Sequence, residues 1–96
     1  MAQKSKVKIT VYRKFDCPEL PDYSGGCEKL KVGQEFIVEE NGNMPEGFCT
    51  WAWNDIWPVI TTLRFGGNFT YSKTEGMMHS SCTDGLSPVV FRIERI

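Results

Sequence analysis

The chain has 96 residues, of which 41% are hydrophobic and 24% are charged, and its formal net charge at pH 7 is −1. This length supports one small domain, residues 1–96, and the composition is that of a globular protein, not of a disordered one. The near-neutral charge argues against nucleic-acid binding, which needs many basic groups on one surface.

The first predicted element is a strand over residues 6–15, KVKITVYRKF. Apolar Val7, Ile9 and Val11 alternate with basic and polar residues, which is typical of a half-buried strand. We interpret the basic residues as its solvated face. The preceding residues hold no apolar stretch of a signal peptide, and no apolar run approaches 18 residues. We therefore expect no membrane segment and a cytoplasmic location.

A loop and a second strand follow. Residues 16–28, DCPELPDYSGGCE, carry two prolines and two adjacent glycines, which predict a loop. Residues 33–40, GQEFIVEE, predict a short strand, and NGN ends it.

The middle of the chain predicts a helix. Asn43 to Glu46 fit an Asn-x-x-Glu capping box, and the glycines after Phe65 would end the helix. Pro58 removes one helical hydrogen bond, so we expect a kink or two short helices. The apolar stripe of this helix contains Cys49, Ala52, Trp53, Ile56, Val59, Ile60 and Leu63.

The last third predicts strands over NFTY (68–71), MMHSSC (77–82) and PVVFRIERI (88–96), with a turn-rich connection over residues 83–88. The order strand, strand, helix, strand, strand predicts an α+β fold. We expect a small, mostly antiparallel sheet of about four to five strands packed on one helix.

Three of the four cysteines fall at the ends of predicted elements. Cys27 precedes a strand, Cys49 opens the helix and Cys82 ends a strand. In a reducing compartment such residues are free thiols, metal ligands or catalytic groups. We predict that they form a metal site for zinc or an iron–sulfur cluster, although their spacing matches no compact ligand motif. Candidates for a fourth ligand of zinc are Cys17, His79 and Asp84, whereas an iron–sulfur cluster favours cysteines, of which Cys17 would be the fourth.

Cys49 also has two other interpretations. A helix start stabilises a thiolate, which would make Cys49 the nucleophile of a small enzyme or the reactive group of a ligand-binding protein, whereas the apolar stripe predicts a buried, inert thiol. His79 with Asp84 could complete a nucleophile, base and orienting acid around Cys49. Cys82 and His79 are three residues apart in a strand and should point to opposite faces.

Trp51 projects from the polar side of the predicted helix. It would cap a pocket, contact a partner or pack under the 16–28 loop. Open sheet edges favour pairing between copies, so a homo-oligomer or another protein partner is expected if the cysteines only pack. The protein would then be a non-catalytic accessory module.

Four blocks of this chain, KVGQEFIVE, MPEGFCTWAWNDIWPVI, LRFGGNF and CTDGLSPVVFRIERI, resemble a family of small bacterial and archaeal proteins of uncharacterised activity. The resemblance implies a cysteine before the second strand, one in the GFC block and two adjacent cysteines before the DG turn. These positions fall on Cys27, Cys49 and the pair Ser81–Cys82, so Ser81 replaces one thiol. The resemblance implies that three thiols share a site, and it brings no activity.

Overall fold

The computed structural model describes residues 4–96. These residues form β1 (Val7–Lys14), β2 (Glu35–Val38), α1 (Thr50–Arg64), β3 (Met77–Ser81) and β4 (Val89–Arg95). The strands make one antiparallel sheet in the order β2-β1-β4-β3, and α1 packs against it. The predicted α+β fold, a small antiparallel sheet on one helix, is confirmed.

The core lies between α1 and one face of the sheet. Alternation in β1 and β4 directs every second residue inward, and the central pairs Ile9↔Ile93 and Val11↔Phe91 meet across the two strands. Burying an aliphatic or aromatic side chain contributes about 1.5–3 kcal/mol, so this layer is the main source of stability. The helix contributes the stripe that its sequence predicts, with these residues fully buried: Ala52, Ile56, Ile60 and Leu63.

The opposite face of the sheet is polar. Lys8 lies between Glu35 and Glu94, with nitrogen–oxygen distances of 3.6 and 4.0 Å. Tyr12 is exposed at an irregularity in the β1–β4 register between Val11 and Arg13. Side chains on this face are separated from those around α1 by the sheet itself.

The helix starts later than the capping box predicts. Cys49 is its N-cap, and the residues from Asn43 to Phe48 form a turn closed by the Phe48 N–H on the Pro45 carbonyl at 3.3 Å. Gly47 has φ +83°, which a right-handed helix cannot contain. The helical register therefore begins only after it.

Two further expectations differ from the structure. The sequence predicted either a kink at Pro58 or two short helices. The second alternative is wrong, because α1 continues through Pro58 as one helix. The predicted strand over residues 68–71 is absent from the described part of the chain. Asn68 Oδ1 instead accepts hydrogen bonds from the Gly76 N–H (2.7 Å) and from Arg95 Nη2 (2.9 Å). This segment is therefore held by side-chain hydrogen bonds and not by backbone pairing between strands.

Among residues 4–96, no helix has the length and apolar character needed to cross a membrane.

Candidate functional site

Three of the four cysteines line one small cavity of about 40 Å³. The cavity lies beside the start of α1, and we call it the thiol pocket. Cys27, Cys49 and Cys82 belong to three segments that are far apart in the chain, and all are partly buried free thiols. Trp51 and Asp84 line the same pocket, and the rest of its wall consists of Leu30, Ala52, Ser87, Val89 and Phe91.

Cys82 is positioned by the end of the sheet. It follows β3, and its N–H donates to the Val89 carbonyl at 3.1 Å. The Val89 N–H in turn donates to Cys82 Sγ at 3.2 Å, so a contact one position beyond the last β3–β4 pair directs this sulfur. Hydrogen bonds to coordinating sulfurs are among the features that tune metal centres.

Cys49 is positioned by the helix. Its extended backbone (φ −81°, ψ 123°) makes it the N-cap, and its carbonyl accepts the Trp53 N–H at 2.9 Å. The Cys49 side chain makes no capping hydrogen bond, and the first turn of α1 holds no acidic residue. The first turn of α1 borders the pocket through Trp51 and Ala52, and no carboxylate within that turn offsets the partial positive charge of the helix start.

Cys27 is positioned by contacts that fix an irregular loop. Lys14 Nζ, at the end of β1, donates to the Cys27 carbonyl at 2.5 Å and to the Leu30 carbonyl at 2.9 Å. Ser87 Oγ donates to the Gly25 carbonyl at 3.3 Å from the other side. The loop is thereby tied both to β1 and to the segment before β4.

Asp84 shapes the connection between β3 and β4. Its Oδ1 accepts the N–H groups of Leu86 (2.9 Å) and Ser87 (3.3 Å), which is the arrangement of an Asx turn. Asp84 lines the thiol pocket as well.

A hydrogen-bonded chain joins the helix to this connection. Trp51 Nε1 donates to Thr83 Oγ1 at 2.7 Å. Asp55 Oδ2 accepts from both the N–H and the hydroxyl of Thr83, at 2.7 and 3.0 Å. We call these three residues the latch. It fixes the residue after Cys82 against the first two turns of α1.

The two other candidate ligands lie elsewhere. Cys17 does not line the pocket, and its N–H donates to the Leu86 carbonyl at 2.9 Å. His79 is exposed on the polar face of the sheet, paired across strands with Arg92 and packed edge-on against Tyr12 at 5.1 Å between ring centroids. The structure therefore does not assemble a Cys49–His79–Asp84 constellation.

The thiols are gathered around the pocket but are not arranged as ligands. Within residues 4–96, no three His, Cys, Asp or Glu side chains stand where they could together hold a metal ion. Rotation about χ1 redirects a cysteine sulfur without moving the backbone, and all three cysteines lie just outside the helix and the strands.

Sequence reasoning missed Lys14, Asp55 and Thr83. Lys14 was one of several basic residues on a predicted solvated face, and its contacts with carbonyls of the loop have no sequence signature. Asp55 lies one helical turn after Trp51 and so shares its face, which was the available signal. Their common partner Thr83 is about 30 residues further on, and spacing alone could not identify it.

A second, wider groove of about 390 Å³ runs beside β3. It is lined by Tyr71, Ser72, Lys73, Thr74, Met77, Met78 and His79. Tyr71 is 74% exposed, so this is an open surface feature, and none of the cysteines borders it.

Comparison with known protein families, with curated proteins and with solved structures finds no match to this chain.

Proposed function

We propose that this protein binds one thiophilic metal ion in the thiol pocket, with Cys27, Cys49 and Cys82 as its ligands. The observation that carries the proposal is that three cysteines from distant segments line the same cavity. We further propose a cytoplasmic location, where thiols are kept reduced and available for metals.

The size of the cavity favours an ion over an organic molecule. Its volume is about 40 Å³, while sites for small organic ligands usually enclose about 300–1,000 Å³. The pocket therefore suits a single ion better than a drug-sized molecule. An iron–sulfur cluster is larger and is usually held by four cysteines, and Cys17 does not line the pocket.

Zinc is the ion that we expect. It takes four ligands, often three or four of them thiolates, at Zn–S distances of about 2.3 Å. Asp84 lines the pocket and its Oδ1 is engaged by backbone N–H groups, so either Asp84 Oδ2 or a water would complete the shell. Binding requires the three sulfurs to turn toward one another, since the described side chains hold no ready-made ligand group.

The alternatives have less support. An enzyme using the Cys49 thiolate would need a base, and His79, the sole histidine of the chain, lies on the other face of the sheet. A module in which the cysteines only pack is consistent with their contacts to the core, and the experiment below separates it from a metal protein.

The test is anaerobic titration of the reduced protein with Co²⁺, which reports thiolate ligands through its charge-transfer absorption. We expect saturation at one ion per chain and displacement of Co²⁺ by Zn²⁺. Replacing Cys27, Cys49 or Cys82 by serine should abolish or sharply weaken the band. Cys17→Ser is the matched control, because this thiol is equally partly buried but lies outside the pocket, and it should bind like the wild type.

Two results would refute the proposal. One is the absence of stoichiometric binding by fully reduced protein, which would favour the packing role. The other is equal sensitivity to all four serine substitutions, which would show that binding does not depend on the pocket.

A further inference from the structure

The thiol pocket has a buried floor and a partly exposed rim. Its floor residues Leu30, Ala52, Val89 and Phe91 are each at most 1% exposed. Trp51, which lines the same cavity, is 57% exposed. Trp51 therefore borders both the pocket and solvent.

A single chain of hydrogen bonds holds the indole in this position. Its N–H donates to Thr83 Oγ1 at 2.7 Å, and that hydroxyl donates to Asp55 Oδ2 at 3.0 Å. A hydroxyl that donates to a carboxylate is a better acceptor, because chains of hydrogen bonds polarise one another. The latch therefore fixes Trp51 through Thr83 to a carboxylate one helical turn away.

We propose that Trp51 is the lid of the thiol pocket and that the Asp55–Thr83 pair keeps the lid closed. Opening requires loss of the bond between the indole and Thr83, while little apolar burial is lost because Trp51 is already more than half exposed. The lid then controls how quickly small thiophilic species reach the pocket cysteines. Its role in ion exchange rests on the proposed metal binding, but its control of access to the thiols does not.

The size of the effect follows from the hydrogen bond. An ordinary hydrogen bond stabilises a folded arrangement by about 1 kcal/mol, which corresponds to roughly a fivefold change in the open population. Breaking the latch should therefore raise the reaction rate of the pocket thiols about fivefold. It should leave the rate at Cys17 unchanged.

The experiment measures alkylation by iodoacetamide, a small neutral reagent, at each cysteine by peptide mass spectrometry. Thr83→Val removes the hydroxyl and nearly preserves the shape. We expect it to accelerate alkylation of Cys27, Cys49 and Cys82 about fivefold relative to Cys17. Thr83→Ser is the matched control, because it keeps the hydroxyl between Trp51 and Asp55, and it should react like the wild type.

A second variant covers the case in which Thr83→Val does not fold. Trp51→Phe removes the N–H donor from a mostly exposed position and should also accelerate the pocket thiols selectively. The proposal is overturned if the pocket thiols of the folded variants react no faster relative to Cys17. It is also overturned if Cys17 accelerates by the same factor, because that would report loosening of the whole fold.

The rate of Co²⁺ release provides an independent test. Co²⁺-loaded wild type and Thr83→Val are mixed with excess EDTA, and the decay of the charge-transfer band gives the release rate. We expect release to be about fivefold faster without the hydroxyl, and equal rates would overturn control of ion exchange by the lid. If the wild type takes up no Co²⁺, the proposed function fails, and the alkylation rates still decide whether Trp51 is a lid.

Discussion

The indole N–H of Trp51 donates to the hydroxyl of Thr83 at 2.7 Å, across 32 positions of the chain. This contact joins the first turn of α1, which follows Cys49, to the residue that follows Cys82. Lys14 makes the corresponding connection for the loop that carries Cys27. The segments that carry the three pocket thiols are therefore held by polar contacts whose donors or acceptors lie on regular elements.

Removing the Asp55 carboxylate should destabilise the fold. Asp55→Ala deletes the acceptor of two Thr83 hydrogen bonds at 2.7 and 3.0 Å, and we expect a loss of about 1–2 kcal/mol in the free energy of unfolding. The measurement is urea unfolding followed by tryptophan fluorescence. Asn54→Ala is the matched control, because it makes a similar helix-favouring change at an exposed neighbouring position. Equal stability of the two variants would show that the latch contributes nothing.

Lys14→Met should release the loop that carries Cys27. The substitution keeps the aliphatic stem and removes donors to the carbonyls of Cys27 and Leu30, so we expect a loss of about 1–2 kcal/mol. Alkylation of Cys27 should accelerate more than that of Cys49. Lys6→Met is the control, because Lys6 makes only an exposed ion pair with Glu39 at 3.4 Å, which contributes about 0–1 kcal/mol. A Lys14 variant no less stable than the Lys6 variant would contradict this role.

Gly42→Ala should lower the free energy of unfolding more than Gly66→Ala does. Gly42 has φ +77°, and a Cβ there would collide with the guanidinium of Arg64, which is only 6% exposed. Gly66 has φ +85° with no neighbour near its Cβ position. Backbone strain alone should cost each variant about 1–2 kcal/mol, and displacement of Arg64 should add to this at Gly42. Thermal unfolding of both variants measures the two losses of stability. Equal losses would mean that displacement of Arg64 costs no free energy.

The Tyr23 phenol should titrate at higher pH than a free tyrosine. Desolvation, and then the charge and hydrogen bonding of the Asp16 carboxylate, raise the pKa of Tyr23 above its ordinary value of 10.0. A raised pKa of an acid means that folding favours its protonated form. Its contribution to stability is therefore present below pH 10 and is lost as the pH rises through the folded-state pKa.

Absorbance at 295 nm, with Tyr23→Phe subtracted, measures this titration. Asp16→Asn should lower the pKa of Tyr23 toward its ordinary value, because it removes the neighbouring negative charge. A Tyr23 pKa at or below 10.0 in the wild type would contradict the proximity of these two loop residues.

The elements with strong periodicity could be predicted from the sequence. Alternation around Ile9 and Ile93 predicted β1 and β4, and the helical stripe from Ala52 to Leu63 predicted the buried face of α1. These predictions succeed because the apolar residues of a buried face recur every second residue in a strand and every three to four residues in a helix. The same stripe predicted that Cys49 would lie near the core, which agrees with its partly buried position at the start of α1.

Features set by single backbone angles or by distant partners could not be predicted. The capping box at Asn43 looked complete, but the positive φ of Gly47 delays the helix to Thr50. His79 was a plausible ligand by chemistry, and only the pairing of β3 with β4 shows which face it occupies. The contact of Asp55 with Thr83 spans 28 positions and has no local signature.

The central claim is that three thiols hold one ion, and X-ray absorption at the zinc edge tests it most directly. The sample is reduced Cys17→Ser protein loaded with one equivalent of Zn²⁺, so that only the pocket thiols remain. We expect three sulfur neighbours at about 2.3 Å and one oxygen at about 2.0–2.2 Å. A shell made only of oxygen or nitrogen, or the absence of bound zinc after buffer exchange, would contradict it.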